Sequence, residues 1–223
     1  MRRGAPFVGA LVLAAGSAGC AIHGSSASTL SLRAASARDV GEKGAEPVGE
    51  SRAALAPRVE VPELSSIPVE GSSLTKSRAR IMVHAPIDRV RAVLFDFPHY
   101  AEFVPHYRSA RIFGKTLRGG DDVYMEMEAL GGMMRFWARV EIGKPVIEGP
   151  SETYKIRMIT GSVRSFKASW QLESVSADET RLTIESLVEP DLPLPSSLIN
   201  DGSLDGAGES ILCLKRRAES GPP

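Results

Sequence analysis

Residues 80–105 read RIMVHAPIDRVRAVLFDFPHYAEFVP. This segment contains the end of a strand, a corner at Pro86, an amphipathic helix and a second short helical turn that ends at Pro105. Pro86 suits the first turn of a helix, where its missing N–H is not needed. Pro98 ends the helix, because the residue before a proline is pushed out of the α region. The segment therefore predicts a strand, a corner and a helix in close succession.

The predicted helix is amphipathic, and a group of aromatic residues follows it. Apolar residues recur at helical spacing, and charged residues occupy the other side. The apolar positions are Ile87, Val90, Val93 and Leu94. Beyond the helix, the residues that we expect to line the mouth of a pocket are Phe97, Tyr100, Phe103 and Val104.

Short segments of alternating apolar and polar residues make up most of the chain after residue 74. The first precedes the corner and has Ala79, Ile81 and Val83 on its inward side. The others span 107–115, 122–130, 134–142, 153–160, 165–174 and 180–189. One apolar face per strand, with turns at hairpin spacing, is typical of an antiparallel meander.

A final helix follows a proline-rich linker, and Ser196 or Ser197 is its predicted N-cap. Three glycines lie in its middle, and glycine destabilises a helix by about 0.5–1 kcal/mol relative to alanine. We therefore expect a kink or a frayed first half. The glycines fit either a mobile gate over a cavity, or a simple irregularity or close helix–sheet packing.

The N-terminal residues resemble a targeting segment. A charged start, an apolar run from Phe7 to Ala15 and small residues before Cys20 predict a signal peptide over residues 1–19. Lipidation of Cys20 is the favoured outcome, and cleavage to a soluble periplasmic or secreted protein is the alternative. Residues 20–72 contain no aromatic residue and predict a flexible tether. We expect one folded domain over residues 73–218 and a disordered tail over 219–223.

The corner segment also resembles a known family. A strand ending in Ala85-Pro86, a helix rich in valine, and Asp-Phe-Pro-x-Tyr-x-x-Phe-x-Pro up to Pro105 resemble the START-like polyketide cyclase/dehydrase superfamily. The similar branch contains coenzyme Q-binding proteins and ribosome-association toxins. The resemblance covers residues 74–217.

This resemblance implies an α+β, helix-grip fold, in which a curved antiparallel sheet wraps the long C-terminal helix and leaves an apolar tunnel. The ligand would be a hydrophobic small molecule or lipid. The residues that we expect to line the cavity are Phe97, Tyr100, Phe103, Met125, Met127, Phe136, Tyr154, Met158, Phe166 and Trp170.

The inward positions carry no pattern typical of catalysis. The only polar groups among them are the Tyr154 hydroxyl and the Trp170 indole N–H, and such groups usually satisfy a partner within a core. His84, His99 and His106 flank the corner without the further donors that a metal site needs. We therefore expect no catalytic residue, metal or cofactor, which favours a protein that is not an enzyme.

Charge gives little indication of a polyanionic partner. The 27 basic and 27 acidic residues give a formal net charge of zero, so we expect no strong attraction to nucleic acid or acidic membranes. Basic residues on the outward strand positions alternate with glutamates, as on a solvated mixed face.

Three functions are compatible with these features. The leading hypothesis is a domain that binds a lipid or quinone-like molecule and is anchored by its N-terminal lipid to the bacterial cell envelope, on the periplasmic side. The second is a module that binds an envelope protein without a ligand. The third, which rests only on the resemblance, is an enzyme of the cyclase or dehydrase type.

Overall fold

The computed structural model describes residues 60–129, 132 and 134–220. In this part of the chain, nine strands form one curved antiparallel sheet, accompanied by three α-helices. The strands are β1 (Glu63–Pro68), β2 (Thr75–Val83), β3 (Tyr107–Lys115), β4 (Asp121–Ala129), β5 (Met134–Ile142), β6 (Val146–Glu148), β7 (Ser151–Gly161), β8 (Ser165–Ser174) and β9 (Thr180–Glu189). The helices are α1 (Ile87–Leu94), α2 (Tyr100–Phe103) and α3 (Ser196–Glu219).

The strand order is β1-β2-β9-β8-β7-β5-β4-β3, and β6 pairs with β7. The edges are therefore β1 and β3, and the first and last long strands, β2 and β9, lie side by side in the interior. Strand β3 shows two register shifts against β4, between Tyr107 and Ser109 and between Ile112 and Gly114. These irregularities bend the sheet at this edge.

One face of the sheet, which we call the inner face, packs against α3. Alternate residues of β2 supply it, and Ala79, Ile81 and Val83 are buried as predicted. Helix α3 lies against β2 and β9 and contributes Ile211 and Leu214 to the same core. A long C-terminal helix held by an antiparallel sheet confirms the predicted helix-grip fold.

The corner segment folds as its prolines predict. Pro86 is the N-cap residue of α1, and Val90, Val93 and Leu94 are the buried residues of that helix. A 3₁₀ turn over Phe97–His99 contains Pro98 and leads into α2. The helical spacing of apolar residues thus predicted α1, and their alternation with polar residues predicted most strands, to within a few residues.

The start of the domain differs from the prediction. Strand β1 pairs with β2 from Glu63↔Arg80 to Pro68↔Thr75, inside the segment predicted as a tether over residues 20–72. That prediction is wrong for the strand, whose mostly exposed residues carry no alternating pattern. The three-residue strand β6 was also missed. Residues 1–59, which include the predicted signal peptide and Cys20, and residues 221–223 lie outside the described residues.

Helix α3 is unbroken from Ser196 to Glu219, so the predicted kink or frayed half is wrong. Its N-cap residue is Pro195, and neither predicted serine caps it. A Cβ atom on Gly208 would lie 3.2 Å from a methyl group of Leu64 on β1, which favours close helix–sheet packing as the reason for this glycine. Packing of the C-terminal half of the helix, where its buried residues lie from Ala207 to Ala218, compensates for the low intrinsic helix propensity of its glycines.

Candidate functional site

Apolar side chains on the inner face remain half-buried at one end of the sheet. Met127 lies opposite Phe136 across β4 and β5. Met158 and Phe166 follow and precede the pair Arg157↔Lys167, so they are neighbours across β7 and β8. We define the open apolar surface as the half-buried side chains Phe103, Met127, Phe136, Met158, Phe166 and Leu212. These side chains offer a hydrophobic molecule a partly exposed surface on the side of the sheet that holds α3.

The other predicted cavity residues are buried in the core. Phe97 has no exposed surface, and Tyr100, Met125, Tyr154 and Trp170 are also buried. Because Phe97 has no surface that water reaches, it does not border an open space in this structure. Of the four residues predicted at the pocket mouth, the structure places Phe97, Tyr100 and Val104 in the core and leaves Phe103 partly exposed.

Five rings join the corner segment to the sheet, and we call them the aromatic cluster: Phe95, Phe97, Tyr100, Tyr154 and Trp170. The Phe95 ring lies edge-on to Tyr154, with centroids 5.1 Å apart, and Phe97 stacks on Trp170 at 6.2 Å. Such pairs contribute about 0.5–1.5 kcal/mol each beyond the area that they bury. The cluster closes one end of the inner face, next to the open apolar surface.

The tyrosines of this region are held neutral by burial. Tyr100 donates a hydrogen bond of 2.6 Å to the carbonyl of Leu94, and burial raises the pKa of its hydroxyl well above the ordinary value. Burial likewise raises the pKa of Tyr107 to about 12. Both hydroxyls therefore stay protonated at physiological pH.

The inner face also holds a charged group that the sequence analysis missed. Glu152 of β7 accepts two hydrogen bonds from the Arg91 guanidinium of α1, and the Tyr154 hydroxyl donates to Glu152 Oε2 at 2.9 Å. Arg91 lowers the pKa of Glu152, whereas burial and the bond to Glu152 raise the pKa of Tyr154 to about 12. This arrangement fastens α1 to the sheet. The i,i+2 spacing of Glu152 and Tyr154 was the available signal.

Surface charges hold the corner segment against α3. His106 Nε2 lies 2.6 Å from Glu209 Oε2, and Arg217 lies 3.9 Å from Asp96 and 5.5 Å from the centre of the Phe103 ring. These residues form a polar rim beside the corner segment. Asp96 pairs with His99 at 2.5 Å and raises the pKa of this histidine.

A second charged group ties the start of the described chain to the end of α3. The Lys215 ammonium donates to the Met82 carbonyl at 2.7 Å and lies 2.8 Å from Glu60. The imidazole of His84 is half-exposed, and its Nε2 lies 3.0 Å from the same glutamate. Lys215, followed by His84, lowers the pKa of Glu60.

In the described part of the chain, no group of three or more His, Cys, Asp or Glu side chains is arranged to hold a metal ion. None of the helices in this part has the length and hydropathy needed to cross a bilayer.

The fold has counterparts among solved structures. A STAR-related lipid transfer protein from Xanthomonas axonopodis is similar over 71% of this chain and 99% of its own, with a TM-score of 0.60 and 17% identity. The human StAR-related lipid transfer protein 5 covers 72% of this chain and 83% of its own, with a TM-score of 0.60 and 9% identity. The Zhui aromatase/cyclase from Streptomyces sp. R1128 covers 65% and 93%, with a TM-score of 0.51 and 16% identity. At these identities the likeness establishes the fold.

Comparison of the sequence with protein families identifies the family as well as the fold. No curated protein matches the chain. The family model described as polyketide cyclase/dehydrase and lipid transport matches residues 83–203, more than half of the 223 residues. The match includes the corner segment from Val83 onward, most of the sheet and the first third of α3. The chain belongs to the polyketide cyclase/dehydrase and lipid transport family.

Proposed function

We propose that this protein binds a hydrophobic small molecule, of the lipid or quinone class, on the open apolar surface between the sheet and α3. The observation that carries the proposal is the half-buried state of Met127, Phe136, Met158 and Phe166. Apolar side chains of this size ordinarily gain about 1.5–3 kcal/mol each by full burial, so leaving a group of them half-exposed favours a ligand that covers them.

The chemistry of the surface agrees with such a ligand. Methionine is flexible and polarisable, and it adapts to apolar molecules of varied shape. The nearby polar groups Arg91, Glu152 and Tyr154 are bound to one another, so they leave the apolar surface as the available contact. Binding at the named cavity residues stays a prediction, and the family relationship supports hydrophobic ligands as the class.

We also propose that the chain is held in the bacterial cell envelope by a lipid on Cys20, as the N-terminal sequence predicts. The small residues before this cysteine and the apolar run of residues 7–15 support this proposal. An envelope location would put the domain next to membranes, where lipids and quinones are abundant.

Native mass spectrometry of the full chain, purified from bacterial membranes in mild detergent, tests the ligand proposal. We expect wild-type protein to carry a lipid or quinone adduct. Met158→Glu should reduce the bound fraction at least tenfold, because the ligand would then cover a charge without a partner. Ile159→Glu is the matched control, since Ile159 is the next residue of β7 and is exposed, and it should retain the adduct.

Circular dichroism must show that both variants are folded. The proposal is wrong if purified wild-type protein carries no ligand and none of a panel of phospholipids, fatty acids and quinones raises its melting temperature. An adduct retained by folded Met158→Glu would place the ligand elsewhere on the domain.

A further inference from the structure

The outer face of the sheet, opposite α3, has an uneven distribution of charge. On the half formed by β3, β4 and β5, both arginines of β5 have acidic partners on β4. Arg139 pairs with Asp122, and Arg135 lies 3.6 Å from both Glu126 and Glu128. Aromatic rings fill the remaining space, with Tyr124 stacked on Trp137. This half is neutral.

The half formed by β7, β8, β9 and β2 has an excess of basic side chains, although Glu185 also lies there and pairs with Lys76 and Arg78. Arg157 lies directly opposite Lys167, and two like charges in this position destabilise a sheet. Lys155 is on the same face, two residues before Arg157, and Lys144 follows β5. In the part of the chain that the structure describes, the side chains of Lys144, Lys155 and Lys167 form no ion pair or hydrogen bond. The only acidic partner of Arg157 there is Glu141, at 3.6 Å.

These basic residues surround an open groove of about 500 Å³. Its surface is mostly apolar, and Val146 and Leu187 contribute side chains to it. Beside the groove, the short strand β6 exposes 49% of Val146 and 68% of Ile147. Exposed aliphatic residues next to unpaired lysines are the combination that binds the interface of an anionic bilayer.

We propose that this outer groove docks the domain on a membrane surface that contains anionic phospholipids. The headgroup phosphates would lie among Lys144, Lys155, Arg157 and Lys167 and relieve the repulsion across β7 and β8, while Val146 and Ile147 enter the interface. This site is on the face of the sheet opposite the open apolar surface, so it stands whether or not a ligand binds there. The net charge of zero conceals it, because Glu185, the acidic residue that lines the groove, is already paired with Lys76 and Arg78.

The test uses the full chain with Cys20→Ser, so that no N-terminal lipid is present, and an environment-sensitive dye on Ile147→Cys. Vesicles of phosphatidylcholine with 30 mol% phosphatidylglycerol should shift the dye emission to the blue, and pure phosphatidylcholine vesicles should not. A dye on Asp178→Cys, in the turn between β8 and β9, should not respond. Because the dye reports its own position, binding through the N-terminal segment does not mask the result.

Charge variants identify the residues. The triple change Lys144→Gln, Lys155→Gln and Lys167→Gln should raise the vesicle concentration for half-maximal shift about 100-fold, since each basic side chain near an anionic surface contributes about fivefold. A control triple removes the same charge from exposed positions outside the groove: Arg108→Gln, Arg164→Gln and Arg216→Gln. This control should change the vesicle concentration for half-maximal shift less than twofold. Should the first triple not fold, raising salt from 50 to 500 mM must reverse the wild-type shift.

Three results would overturn the proposal. One is an unchanged Ile147 dye on anionic vesicles to which the chain is bound. Another is an equal loss of vesicle binding in the two triple variants. The third is a dye response to monomeric dodecanoate without any response to vesicles, which would assign the groove to a soluble anionic amphiphile.

Discussion

At the scale of single residues, the contact between Arg91 and Glu152 has the clearest energetic role. Glu152 is mostly buried, and its carboxylate accepts bonds from both the Arg91 guanidinium and the Tyr154 hydroxyl. Removing the guanidinium would leave a buried carboxylate with one neutral donor. Hydrogen bonds to charged groups contribute about 1.5–3 kcal/mol, more than an exposed ion pair.

We therefore expect Arg91→Ala to lower the free energy of unfolding by about 1.5–3 kcal/mol at pH 7, measured by urea denaturation. Arg164→Ala is the control, because Arg164 is exposed and lies 3.5 Å from the exposed Asp191, and it should cost less than about 0.5 kcal/mol.

The pH dependence follows from the lowered pKa of Glu152, whose ordinary value is 4.5. A group with a depressed pKa in the folded state stabilises the protein above its unfolded pKa. The difference between wild type and Arg91→Ala should therefore be full above about pH 4.5 and shrink as the pH falls through the folded pKa of Glu152. An equal difference at pH 3 and pH 7 would contradict this assignment.

At the scale of elements, two glycines differ in whether packing requires them. Gly161 ends β7 where another strand comes close, because a Cβ atom there would lie 2.8 Å from the Trp137 carbonyl oxygen. Gly206 in α3 faces open space within 4 Å. Only the first position requires glycine for packing.

Gly206→Ala should raise the free energy of unfolding by about 0.5–1 kcal/mol, since alanine has the higher helix propensity and meets no clash. Gly161→Ala should lower it, because the nearest neighbour, at 2.8 Å, is a backbone atom of Trp137 that cannot move aside. Urea unfolding measures both. A destabilised Gly206→Ala protein would show that this glycine has a packing role that the structure does not reveal.

At the scale of the whole molecule, the chain combines a helix-grip domain with an N-terminal segment whose sequence predicts a lipid anchor. Two cysteines are present, Cys20 in that segment and Cys213 in the core of α3. They provide a direct comparison, because lipidation requires an accessible cysteine behind a signal peptide.

In bacteria grown with an alkyne-tagged fatty acid, the wild-type chain should become labelled and sediment with membranes. Cys20→Ser should abolish the label, and Cys213→Ser should keep it. A wild-type chain without label would contradict the anchor and leave the ligand proposal intact.

The alternation of the sequence and its prolines predicted α1 and the long strands β2–β5 and β7–β9, because each of these strands has apolar residues on one face. The family resemblance supplied the helix-grip arrangement of these elements. Strand β1 could not be predicted, since Glu63–Pro68 is short and mostly exposed and is held by backbone pairing with β2. The candidate site was predictable only as a set of inward positions. Which of them stay half-buried depends on where the aromatic cluster packs, and the pairing of charges on the outer face depends on strand register.

The irregular edge of the sheet has a consequence for behaviour in concentrated solution. Among the strands that the structure describes, β3 lies at an unpaired edge, and its residues Ile112 and Phe113 are exposed apolar groups. Unpaired edges of this kind recruit strands from other molecules and start aggregation. The two register shifts bend β3, and Arg111 and Lys115 add charge along it. The same distortion that curves the sheet therefore protects the protein from stacking edge to edge with its own copies.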